Sequence, residues 1–243
     1  MSEFEEIFDN LCRTQDRSII WNNWLDYCIN INLIHEKSHY INNNFYDNEE
    51  DYYRMFSEWI NELQGKLDDN KYYDMIGALY EENVQSKGKA KDFQQYFTPQ
   101  DVTVLMTQLA TDKLRYDNGF ANDCCCGSGR FLLAIHVESK GELYSIGQDL
   151  DETSVKMCVL NFWSHGVRGS VLHMNTLTGE FFKGWRVNRY LYHGIPVPHI
   201  EEIFHPSEAY DFIGVDYDGD IDDTTAPGGA GSDGGVVKQT TLI

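Results

Sequence analysis

The sequence predicts an α/β fold: a mostly parallel, doubly wound sheet preceded by an N-terminal helical region. Three observations predict it. Residues 1 to about 90 place apolar side chains at helical spacing, whereas from about residue 93 short strand-like runs alternate with helical ones in the order β-α-β-α-β-loop-β. A turn with two glycines separates the first of those strands from the helix behind it, the place where such sheets gather ligands.

The elements follow in order. Ser2 and Glu5 form a capping signature ahead of Phe4, Ile7, Phe8 and Leu11, which recur at helical spacing. Asp51 to Leu67 repeats the pattern through Tyr52, Met55, Trp59, Ile60 and Leu63, and Tyr72 to Val84 does so again. Core packing accounts for the aromatics. Gln85 to Asp92 contains glycine and lysine and has no periodicity, so the junction is expected there: a helical region over 1–90, a sheet domain over 91–223 and a flexible glycine-rich tail over 224–243. In QQYFTPQDVTVLMTQL, Thr98 is suited to cap a helix, Pro99 to open it and Asp101 to close a capping box, with Val104, Leu105 and Leu109 as its buried face. Strands are expected in FANDCCC, LYSIGQDL, SVLHMNTL and YDFIGVDY, and helices in RFLLAIHVES and TSVKMCVLNFWSHG.

Composition excludes several functions. A formal charge of -20 repels a phosphate backbone or an anionic membrane at long range, so any contact with nucleic acid needs a local basic patch or a basic partner. The six cysteines show no CxxC spacing, and the consecutive Cys124 to Cys126 cannot converge on one metal from a strand; a reduced cytoplasmic interior and no metal are expected. No apolar run is long enough for a bilayer. The eight histidines form neither HExxH nor a triad, and His193 and His199 fall in a proline-bounded loop.

Chemistry concentrates at two strand ends. In Asp123-Cys-Cys-Cys-Gly127-Ser128-Gly129-Arg130 the glycines admit a ligand to the backbone, and the amides of the turn and helix start are expected to serve as donors to an anion such as a carboxylate or phosphate. Asp149 ends the next strand, where an acid grips the ribose hydroxyls of an adenosine-containing cofactor. Leu132 stands where a dinucleotide fingerprint has its third glycine, so S-adenosylmethionine fits better than a dinucleotide.

These motifs together resemble the adenine-N6 DNA methyltransferases related to the modification subunits of type I restriction systems and their phage-borne cousins. YDMIGALYEE is similar to the helical lead-in of that family, QYFTP to its GQ[YF]FTP motif, and DCCCGSGRFLLA to its DPxCGSGxFLL motif. GQDLDETSVKMCVLNFWSHG resembles its ribose segment, HMNTL its adenine-contacting motif, and GWRVNRYLYHGIPVPHIE its phage members. Gln94 and Cys124 replace a glycine and a proline of the pattern. The resemblance implies a Rossmann-like sheet binding S-adenosylmethionine. It implies that Gln95, Phe97, Thr98 and Pro99 border the methionine end, that Asp123, Cys125, Gly127 and Gly129 form the turn, that Asp149 with Leu150 holds the ribose, and that Asn175, Thr176 and Leu177 meet the adenine.

The family's [DN]PP[YF] motif, which clamps a flipped adenine, is absent. Prolines occur at 99, 196, 198, 206 and 227, and no two are adjacent. Asp216 and Tyr217 in YDFIGVDYDGD take the corresponding place as candidate catalytic residues. The expected activity is site-specific DNA adenine-N6 methylation in a restriction-modification or phage system, with DNA and a specificity or restriction subunit as partners and no membrane. Two alternatives stay open: an inactive cofactor-binding or assembly protein that has lost the substrate half, and an acidic DNA mimic acting as an anti-restriction partner.

Overall fold

Ser2 opens the first helix as its spacing predicts. The computed structural model describes residues 2–34, 48–86, 98, 100–111, 119–191 and 196–209. Within them, α1 (Glu3–Leu11) begins with a complete capping box: the Ser2 hydroxyl accepts from the Glu5 amide and the Glu5 carboxylate accepts from the Ser2 amide. Helix α2 (Arg17–Asn30) starts at Asp16, whose carboxylate accepts from the Ser18 amide, and α3 (Glu49–Leu67) buries Tyr52, Met55, Trp59 and Leu63 as its periodicity requires. Helix α4 (Met75–Tyr80) passes into a π-helical turn over Glu81–Gln85.

Beyond it, α5 (Gln100–Thr111), α6 (Arg130–Glu138) and α7 (Glu152–His165) accompany the strands β1 (Phe120–Asp123), β2 (Tyr144–Asp149), β3 (Gly169–Asn175), β4 (Glu180–Val187) and β5 (Ile200–Ile203). One sheet holds the strands in the order β1-β2-β3-β4-β5. The ladders β1/β2 and β2/β3 are parallel, joined by the crossovers α6 and α7. Right-handed crossovers between successive neighbours place both helices on one face.

The expectation of a mostly parallel, doubly wound sheet needs correction for the described strands. They follow one another in sequence without a reversal of order, and the β3/β4 and β4/β5 ladders are antiparallel. The reason is local. The Asn175 side chain accepts from the amides of Leu177 and Thr178, Gly179 adopts φ +77° and donates to the Asn175 carbonyl, and the chain turns straight back into β4. The proline-bounded loop then leads into β5, with His199 buried: its Nε2 accepts from the Tyr190 amide while Nδ1 bonds the Val197 carbonyl. The expected strand YDFIGVDY lies outside the described residues.

Helix α5 also departs from its expected orientation. Leu105 and Leu109, expected inside, are exposed together with Val102 and Met106, whereas Thr103 and Thr107 are buried; the Val104 side chain is not among those described. The helix packs on α6.

One continuous apolar core runs from Phe4 in α1 to Ile200 in β5, so the helical region and the sheet share an interior. Helix α2 docks on α7, where Lys156 pairs with Asp26 at 2.9 Å and Thr153 donates to Asn22. A run of indoles bridges the same boundary: Trp21 to Trp24 at 5.1 Å between centroids, Trp24 to Trp59 at 5.9 Å and Trp59 to Trp163 at 6.3 Å. Ile34 donates to the Ile200 carbonyl and Ile200 to that of Asn32, which fastens the end of α2 to β5. Phe120, Tyr144 and Ile146 form a second, small cluster.

Two results check this packing. Trp59→Ala empties a fully buried site shared by three indoles and should cost about 3–5 kcal/mol in urea unfolding; a loss below about 1 kcal/mol contradicts the shared core. Desolvation, then the neighbouring charges of His165 and Arg168, lowers the pKa of His136 to about 4, and burial lowers that of His165 as well. Both are neutral in the folded protein while the unfolded chain takes up protons below about 6.5. Their contribution is therefore complete above pH 6.5 and lost as pH falls toward 4, by up to about 3 kcal/mol for His136, less where water screens it. His136→Gln should flatten the fall in melting temperature between pH 7 and pH 4.5; parallel curves for variant and parent contradict the assignment.

Candidate functional site

Strand β1 ends at Asp123, and the cysteine run expected to extend it forms the turn instead. The Cys125 amide donates to Asp123 Oδ1 at 3.1 Å, which bends the chain out of the strand. The Cys126 amide then donates to the Gln148 carbonyl at 2.9 Å, tying the turn to β2, and its thiol is buried against that of Cys158. Gly129 donates to the Cys126 carbonyl and opens α6 at φ +85°. Only glycine fits: a Cβ here would stand 2.6 Å from Cys158 Sγ as well as in the left-handed region.

Asp149 reaches this turn from the end of β2. Its Oδ2 accepts from the Gly127 amide at 2.9 Å and its Oδ1 from the Asp151 amide at 2.9 Å. Thr98, Asp123, Cys125, Gly127, Arg130 and Asp149 line a cleft of about 250 Å³. Sequence motifs scattered over fifty residues thus meet at one point. The amides of the turn and helix start were expected to serve an anion; of these, the turn amides of Cys125, Gly127 and Gly129 are bonded within the protein.

Electrostatics bears on the same point. Burial raises the pKa of Asp123, its bond from the Cys125 amide opposes the rise, and the Asp149 carboxylate adds to it. Arg130 does not offset this pair, because its guanidinium is bonded to the buried Asp74 at 2.9 Å. Among the described lining residues two carboxylates face no cation other than this engaged guanidinium, which suits the cleft to a positively charged ligand rather than a pyrophosphate. Among the described residues no group of three or more metal-binding side chains occurs.

The other expected site residues lie elsewhere. Leu150 is exposed at the end of β2, and its carbonyl bonds His173 Nε2. Asn175 is engaged by its own turn, Leu177 is 96% exposed beside Thr176, and none of these lines the cleft. Gln95, Phe97 and Pro99, with the candidate catalytic Asp216 and Tyr217, lie outside the described residues.

Sequence reasoning missed what stands behind the turn. Asp74, 3% exposed, caps α4 and receives four donors: Gly77 N at 2.8 Å and Asn161 Nδ2 at 2.7 Å on Oδ1, Ser128 Oγ at 2.6 Å and Arg130 Nε at 2.9 Å on Oδ2. Asn161 also donates to the Ser128 carbonyl, and Arg130 Nη1 to that of Thr98. Two signals were present: an aspartate one residue ahead of a helical run, and an asparagine inside the apolar stretch VKMCVLNFW.

Gly129→Ala forces a side chain into the left-handed region and against Cys158, and should cost about 2–4 kcal/mol in denaturant unfolding. A variant as stable as the parent contradicts the turn geometry.

Comparison with known proteins finds a family likeness over the same stretch of chain. The family described as N-6 DNA Methylase matches residues 71–190, a span that begins just before Asp74 and covers the turn, Asp149 and strands β1 to β4. The type I restriction enzyme MpnII methylase subunit of Mycoplasma pneumoniae is 27% identical over 124 residues, 48% of this chain and 22% of the relative, so the chain spans well under half of that protein. No solved structure matches the chain. Residues 71–190, with the turn and Asp149 inside them, show this chain to be related to the N-6 DNA methylase family.

Proposed function

We propose that the protein is an S-adenosylmethionine-dependent DNA adenine-N6 methyltransferase of the type I modification-subunit kind, built on a Rossmann-like sheet. The observation that carries this reading is the bond from the Gly127 amide to Asp149, which joins the glycine turn of one strand to the acid ending the next. Bound there, S-adenosylmethionine supplies a methyl group on a sulfonium centre. Asp149, held by the Gly127 and Asp151 amides, would accept from the ribose hydroxyls through its remaining lone pairs, and Asp123 and Asp149 would hold a net positive ligand against the turn. Thr98, held over the cleft through its carbonyl, borders the methionine end with Gln95, Phe97 and Pro99. Positioning would do the work: the amine would bond to the methyl carbon as the carbon–sulfur bond breaks, leaving the neutral thioether S-adenosylhomocysteine, and the amine would lose its proton to solvent. DNA and a specificity or restriction subunit are the proposed partners, in a cytoplasmic setting; no described helix is long and apolar enough to cross a membrane.

One observation favours a second reading. The chain contains no [DN]PP[YF], and Asp216 and Tyr217 replace its first two positions. A protein that binds the cofactor but no longer methylates, acting in assembly, accounts for a cofactor turn without an adenine clamp.

Titration calorimetry with S-adenosylmethionine tests the shared premise. One molecule should bind per chain, and Asp149→Ala should weaken it by at least about tenfold through lost charged hydrogen bonds. Absence of heat from the parent protein removes both readings. Transfer of labelled methyl to unmodified DNA separates them: incorporation that Asp149→Ala abolishes supports the enzyme, and binding without incorporation supports the second reading.

A further inference from the structure

We propose that Asp74 is a positioning residue for the methionine end of the cofactor site, an inference that rests on the reading of the cleft given above. Asp74 cannot touch a ligand, being 3% exposed and absent from the lining of the cleft. It acts through what it holds. Its Oδ2 fixes the Ser128 hydroxyl and Arg130 Nε, so the residues on both sides of Gly129 are tied to one buried anchor. Arg130 carries the constraint onward, since the same guanidinium donates Nη1 to the Thr98 carbonyl at 2.8 Å. Asn161 closes the circuit by donating to both Asp74 Oδ1 and the Ser128 carbonyl.

The turn is therefore gripped from two sides. Asp149 holds Gly127 from the ribose side, and Asp74 holds Ser128 and Arg130 from within. A carboxylate offers about four acceptor sites, and all four here are filled by donors from α4, the turn and its helix, and α7. Gly77 is required for this: a Cβ there would collide with the Asp74 carboxylate folded back over its own helix. The anchor is tied to the Thr98 side of the cleft and has no bond to Asp149, so its effect should fall on one end of a ligand.

That asymmetry supplies the test. S-adenosylmethionine and 5′-methylthioadenosine, which lacks the amino-acid end, are titrated into the parent protein, Asp74→Asn and Asn161→Ala, with melting curves to confirm folding. Asn161 lies off the cleft and serves where Asp74→Asn does not fold. The expected result is a dissociation constant for S-adenosylmethionine raised about tenfold or more, with that for methylthioadenosine changed less than about twofold. Folded variants that bind both ligands like the parent, or that lose both equally, overturn the positioning role while leaving the cofactor site standing. A parent protein that binds neither ligand overturns the reading of the cleft itself.

Discussion

The architecture depends on one buried carboxylate. Asp74 belongs to the helical region by position, yet three of its four donors come from the glycine turn, the start of its helix and α7, between 54 and 87 residues away. Taking a carboxylate out of water is costly, and only complete pairing makes it tolerable. Removing a partner from such a group typically costs about 3–5 kcal/mol, because the remaining charge is left buried. The turn, Arg130 and Asn161 therefore have one mutually consistent arrangement, and displacing any of them exposes the others to that penalty.

The remaining structure supplies a setting in which this point cannot drift. Helix α7 is the common wall: it crosses from β2 to β3, carries Asn161 to Asp74, receives α2 through Lys156 and Thr153, and meets the indole run at Trp163. At its end, buried Asn188 donates to the Phe162 and Val167 carbonyls and accepts from the His199 amide, which binds the antiparallel strands to the same helix. The acidic cleft sits at the C-terminal ends of β1 and β2, and the parallel register pairs Asp123 with Gly147 two residues short of Asp149. A residue too large at Gly147 would press on both Cys126 and Cys158 beneath the turn.

What was legible in the sequence was local. The Ser2 and Glu5 box, the α3 stripe and the change of period at β1 and β2 each depend on neighbours within a few residues, and each formed as expected. Helix α2 was not resolved as an element because it buries Ile20, Trp21, Trp24, Leu25 and Cys28 over a wide arc, between α3 on one side and α7 on the other, which blurs a one-sided stripe. Strands β4 and β5 were missed because their pairing includes ions: Lys183 with Glu202 and Arg186 with Glu201 interrupt the apolar alternation. In α5 the apolar stripe was plain and its direction was not, since nothing local records that Thr103 and Thr107 are the buried side. Of the candidate site, Asp123, Gly127, Gly129 and Asp149 were readable as a motif, while Asp74 and Asn161 act only through distant partners that a single chain segment does not display.

Amide hydrogen exchange with and without S-adenosylmethionine bears most directly on the central claim, that the turn gripped between Asp149 and Asp74 is where the ligand sits. Slower exchange in the presence of ligand is predicted over Asp123 to Arg130 and over Asp149 to Asp151, with Asn161, inside α7, already protected in its absence. Protection elsewhere with these segments unchanged would contradict it.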